Sequence, residues 1–180
     1  LKVIEGLFDT PTPWDKTRAF PADIKKIIDT VKSLEDDGVR AVVTACGFFS
    51  VVQEVLADAV HIPVFTSTLM IVPSIARMIR NDRSVCIIPA SERLLVSDYL
   101  TAVGIASDMP VHIVGMEAST EFYATHMGGT RTTLDVDLQR RELVEIARNA
   151  VIQFPDIGAL LLECSQLPTL AADIQDAVNL

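Results

Sequence analysis

Two kinds of apolar pattern alternate along this chain. Short unbroken apolar runs bounded by turn residues read as buried strands, and longer stretches with apolar residues every three or four positions read as helices. The first clear helix starts at Pro21, with Asp23 suited to its positive end. Ile24, Ile27, Ile28, Val31 and Leu34 share one face of it, and Asp36-Asp37-Gly38 stops it. A strand is predicted over 39–44, then a helix over 49–60 with Val52, Val55, Leu56 and Ala59 inward. A short strand over 61–65 follows, and Thr66-Ser67-Thr68 caps a helix over 69–80. The alternation continues with a strand over 84–88, a helix over 92–103 and a strand over 110–115. A long helix over 135–154 turns Leu138, Leu143, Ile146, Ala147 and Ala150 inward. A strand over 157–163 and a last helix, opened by Pro168 and running to the chain's end, complete the pattern. Residues 1–6 read as a strand and 8–20 as a proline-bearing loop. Residues 117–129 have no clear period, and Gly128-Gly129 with Thr130, Thr132 and Thr133 reads as a mobile connection.

Strand–helix alternation gives parallel sheets with helices on both faces, and sites in such sheets form outside the carboxyl ends of the strands. Two of the predicted strands end alike. Ala41-Val42-Val43-Thr44-Ala45-Cys46-Gly47-Phe48 and Ala159-Leu160-Leu161-Leu162-Glu163-Cys164-Ser165-Gln166 align without a gap, placing Cys46 opposite Cys164. Each is an apolar run, a cysteine, a polar or glycine turn and a new helix. The repeat implies two related halves, each offering one thiol to a shared cleft, with the boundary near Asn81: residues 1–81 and 82–180, the last helix packing back on the first half.

A thiol at a helix start feels unpaired backbone N–H groups, which lower its pKa and also hold carboxylates. Two thiols facing across a cleft can act as base and acid on opposite faces of one carbon. The competing reading is that each cysteine is a small core residue, as Cys86 is expected to be inside Val85-Cys86-Ile87-Ile88. Thr44, two residues before Cys46, points the same way in an extended strand; it either binds a substrate carboxylate or bonds the backbone. Thr66 and Ser67 either bind an anion or only cap. Glu163 should point away from Cys164. His61 and His112 read as structural, whereas His126 and Tyr123 are candidates to enter the cleft.

Charge and composition narrow the partners. Net charge is −9 in 180 residues, the opposite of a nucleic-acid footprint. Hydrophobic residues make up 49%, enough for a sizeable core, yet no apolar run reaches the roughly 18 residues of a membrane span. No cleavable apolar block follows the start, although the chain begins without methionine. Three cysteines without a close pair fit reduced thiols in a cytoplasm and offer no zinc spacing.

The runs Thr44-Ala45-Cys46-Gly47-Phe48, Val64-Phe65-Thr66-Ser67 and Leu162-Glu163-Cys164-Ser165-Gln166-Leu167-Pro168 resemble the aspartate/glutamate racemase superfamily. They are most similar to its branch near hydantoin racemases and arylmalonate decarboxylases. The resemblance covers the chain from about Val3 onward. It implies an α/β fold of two flavodoxin-like lobes related by a pseudo-twofold axis, with the site in the cleft between them. It also implies proton transfer by Cys46 and Cys164 without metal, pyridoxal phosphate or other cofactor. Backbone around Gly47, Phe48, Ser165 and Gln166, with Thr44, Thr66 and Ser67, would hold the substrate. The family pattern has a further strand before Leu1 and more chain past Leu180, and this sequence departs from it at both ends. The expectation is a racemase or epimerase of a small carboxylate such as an amino acid, in a homodimer or higher homo-oligomer, with no nucleic-acid or membrane partner. A decarboxylase or cis–trans isomerase on the same scaffold, and a non-catalytic binding protein, are the alternatives.

Overall fold

A computed structural model describes residues 21–180. The strand over 1–6 and the loop over 8–20 lie outside the described residues.

Helix α1 spans Pro21–Asp36. Ile27 and Val31 are buried, with Ile24, Ile28 and Leu34 packed beside them. Gly38 ends it at φ +82, a conformation that favours glycine. Its N–H donates to the Glu35 carbonyl (2.8 Å) and the Val39 N–H to that of Leu34 (3.1 Å), which satisfies the last helical carbonyls.

Strand β1 (Val42–Val43) pairs in parallel with β2 (Val64–Phe65) to form a small sheet. Between them a 3-10 turn over Gly47–Val52 leads into helix α2 (Gln53–Ala59). A second 3-10 turn, Thr68–Ile71, leads into α3 (Val72–Met78). The Ser67 hydroxyl accepts from the Leu69 N–H at 3.1 Å, the predicted cap. Val55 is exposed rather than inward; Val52 and Leu56 alone carry that face of the helix into the core.

The second sheet is parallel in the order β4-β3-β5: Val111–Ile113, Ser84–Ile88 and Ile157–Leu162. Every residue of β3 is buried. Val85 and Ile87 meet Phe48, Leu69, Val72 and Leu161 on one face. Cys86 and Ile88 join Leu143, Ile146, Ala147 and Ala150 of helix α6 (Val136–Gln153) on the other. A central strand covered by helices on both sides reads as a continuous apolar run, which is why 84–88 was clear in the sequence. Helix α3 therefore packs on the second sheet, and helix α7 (Ala171–Val178) packs against α6.

Several elements differ from the sequence pattern. The helix expected over 92–103 is only α4, Ser97–Thr101. Glu117 accepts from the Ser91 hydroxyl (2.7 Å) and the Arg93 N–H (3.4 Å), which holds the preceding residues in a turn. Residues 117–129 contain α5 (Thr120–Phe122) and a π-helical turn over Tyr123–Met127. Helix α6 buries Gln139 rather than Leu138, because Gln139 bonds His126 at 3.1 Å. The last helix stops at Val178, with Asn179 left-handed at φ 55. No helix of the described residues is long and apolar enough to cross a membrane.

Leu143 is fully buried, whereas Leu138 lies at the margin of that face. Leu143→Ala should cost about 2–5 kcal/mol, and Leu138→Ala less than about 1 kcal/mol. Urea denaturation of both variants checks the helix's orientation.

Candidate active site

The two cysteine motifs fold alike. Beyond each cysteine the chain makes the same turn: the Phe49 N–H donates to the Cys46 carbonyl (3.1 Å) and the Leu167 N–H to the Cys164 carbonyl (3.0 Å). In each turn the N–H two residues on, from Phe48 or Gln166, donates to the thiol. Both cysteines are half-buried and lie at the carboxyl ends of strands in different sheets.

The turns meet in one cavity of about 190 Å³, below the roughly 300–1,000 Å³ of pockets for drug-sized ligands. Ala45, Cys46, Gly47 and Phe48 line it from the first motif, and Glu163, Cys164, Ser165 and Gln166 from the second. Ala90, Phe122, His126 and Met127 complete the wall. Phe48 is anchored edge-on against Tyr99 (centroids 4.9 Å), and the Ser50 hydroxyl donates to the Tyr99 carbonyl (2.8 Å). These contacts fix the first motif against the second half of the chain.

Thr44, Thr66 and Ser67 stand behind this wall. The Thr44 hydroxyl donates to the Thr66 carbonyl, the backbone-bonded alternative. Thr66 donates its N–H and hydroxyl to the Gln53 amide oxygen (3.0 and 2.8 Å), and Ser67 caps the turn before α3. The three hold the end of β2 beside the first motif. His112 bonds Asp156 (2.9 Å) and stacks on Phe154 away from the cavity, and Tyr123 is exposed.

Two lining residues were undervalued by the sequence. His126 enters through the π-helical turn, a geometry frequent at functional sites. The start of that segment is held by Glu142 of α6, whose carboxylate accepts from the Thr120 N–H (3.2 Å), the Glu121 N–H (3.1 Å) and the Ser119 and Thr120 hydroxyls. Glu163 is the second. Strand β5 ends at Leu162, so strict alternation no longer sets the direction of Glu163, and its side chain turns into the wall under Gly47. An ideal Cβ on Gly47 would stand 1.5 Å from Glu163 Oε1, so a side chain there would make this carboxyl shift.

The electrostatics reverse one expectation. Burial pushes the Cys46 thiol up to about 12; the Phe48 N–H pulls it down, and the charges of Glu163 and Cys164 push it further up. Burial likewise raises Cys164, with the Gln166 N–H opposing and Glu163 adding to the rise. Turn N–H groups do reach both thiols, but desolvation outweighs them. Glu163 is itself raised by burial, from 4.5 to about 7.

The chain is a parallel α/β protein of two sheets, a fold it shares with solved glutamate racemases. The chain superimposes on glutamate racemase from Aquifex pyrophilus with a TM-score of 0.52 at 22% identity, covering 90% of this chain and 60% of that one. For a glutamate racemase isoform of Bacillus anthracis the TM-score is 0.54 at 16% identity, over 91% and 60%. In sequence the chain is similar to dimethylsulfoniopropionate lyases: 29% identical over 157 residues to one from Durusdinium sp. clade D, covering 84% of this chain and 51% of that protein. Dimethylsulfoniopropionate lyase 7 of Emiliania huxleyi is 27% identical over 169 residues, 89% and 49%. The chain spans about half the length of these curated relatives. No family model matches it. The broad resemblance to the racemase fold holds; the narrower one, to the hydantoin racemase and arylmalonate decarboxylase branch, finds no support in these relatives.

Because Glu163 keeps its proton in the folded chain between pH 4.5 and about 7, where the unfolded chain loses it, its contribution to stability is present below 4.5 and lost as pH rises to 7. Glu163→Gln removes that loss. The variant's stability relative to wild type should rise by about 2–3 kcal/mol between pH 4.5 and 7.5, read by urea denaturation at both pH values.

Proposed function

We propose that the chain forms the site of a cofactor-independent enzyme that removes the α-proton of a small carboxylate and completes a β-elimination. The observation that carries this reading is the convergence of Cys46, Cys164 and Glu163 on one small cavity. The similarity to dimethylsulfoniopropionate lyases supports a sulfonium substrate of that kind. Backbone around Gly47 and Ser165 holds the substrate carboxylate, which lowers the barrier to charge on the neighbouring carbon. The charges of the two thiols oppose each other, so one cysteine ionises while the other keeps its proton. The ionised cysteine is the base. Its thiolate takes the α-proton, the C–H electron pair forms the carbon–carbon double bond, and the C–S bond breaks. Dimethyl sulfide leaves as a neutral molecule with the C–S bonding pair, and acrylate remains.

The matched thiol turns favour a second reading, racemisation. There the same carbanion forms on a substrate without a leaving group, and the other cysteine returns a proton to the opposite face. The product separates the two. Dimethyl sulfide release from dimethylsulfoniopropionate, measured by gas chromatography, is expected. α-Proton exchange of D- or L-amino acids in deuterated water, without sulfide release, would instead establish the racemase. One of Cys164→Ser and Cys46→Ser should lower sulfide release by about 10²–10⁴-fold and the other much less, whereas racemisation should fall that far in both. Full activity in both variants would remove the cysteine mechanism.

A further inference from the structure

Glu163 is 4% exposed, and its Oε1 is buried without a hydrogen-bond partner. A buried carboxyl oxygen without a partner is costly, and in a native protein it calls for a physical reason. It lies against Gly47, where a side chain would displace it. Among the described residues lining the cavity there is no lysine or arginine to balance it. The single lining histidine, His126, is turned by its Nε2 toward Gln139. The positive partner is thus left for the ligand to supply. The remaining wall suits one: Phe48 and Phe122 present aromatic rings and Met127 a thioether, soft surfaces for a diffuse cation.

We propose that Glu163 is a specificity-determining residue that receives the onium centre of a zwitterionic small carboxylate, so that the cavity selects substrates carrying both charges. The inference rests on the cavity being the substrate site. It explains how a cavity that disfavours thiolates in the empty state becomes reactive: a cation beside Glu163 offsets the negative charge that both Cys46 and Cys164 feel. The ligand that fills the site thereby helps ionise the base, while neutral-tailed carboxylates leave it protonated.

The test compares two ligands of one shape in the full chain by isothermal titration: dimethylsulfonioacetate, and 3-methylbutanoate, in which carbon replaces the sulfonium. The sulfonioacetate has no β-carbon, so elimination does not consume it. Wild type should bind the onium ligand about tenfold tighter or more. The ratio should fall close to one in Glu163→Gln, with 3-methylbutanoate binding unchanged or improved. Glu163→Asp, which keeps the charge, should retain a ratio above that of the glutamine variant. A wild-type ratio near one, a ratio unchanged in Glu163→Gln, or an aspartate variant as indifferent as the glutamine variant would overturn the proposal. Absence of dimethyl sulfide release with the onium preference intact would sink the elimination reading and leave this one standing.

Discussion

Strand β3 is buried along its whole length on both faces, and that constraint orders the rest of the molecule. A strand with no wet face must be flanked by strands on both edges and covered by helices above and below. Strands β4 and β5 supply the edges, α6 one cover, and α3 with Phe48 the other. Covering β3 therefore draws the first cysteine turn, which carries Phe48, down onto the second sheet. The cavity between the thiols forms where that cover meets the end of β5. Packing of the core and assembly of the site are one event.

The cavity so formed disfavours free thiolates. Burial raises both thiols, and a carboxyl group placed beside them raises them further. A site needing a free thiolate at rest would gain from a cation where Glu163 stands. The arrangement makes sense for a site whose reactive state is completed by its ligand, since low dielectric strengthens whatever charge the ligand brings. It also limits wasteful reactivity, because a neutral buried thiol is a poor nucleophile.

Most of the architecture could be read from apolar runs because β3, β5 and the buried stripe of α6 have strong and regular patterns. The repeated strand–cysteine–turn unit was legible for the same reason, and its two copies do fold into matching turns. What the sequence hid was set by side-chain bonds between distant residues. Glu117 holds the approach to α4 in a turn, Gln139 replaces Leu138 by pairing with His126, and Glu142 starts the segment that brings His126 to the wall. Glu163 was hidden by a different cause: alternation predicts direction only while the strand lasts, and β5 ends one residue earlier. The signal that would have found it was Gly47, a glycine without positive φ, whose lack of a side chain is explained only by what lies against it.

The likeness to racemases in fold and to lyases in sequence describes one chemical step with two endings. Both begin with a proton leaving a carbon beside a carboxylate, and both need that carboxylate held and a base on one face. A substrate with a good leaving group on the next carbon expels it; without one, the carbanion survives until a proton returns. The second thiol decides the outcome only in the latter case, and for a sulfonium the departing neutral sulfide is the faster fate. Under the proposed reading the same cavity would serve either reaction, and the leaving group on the substrate, rather than a change of fold, would select between them.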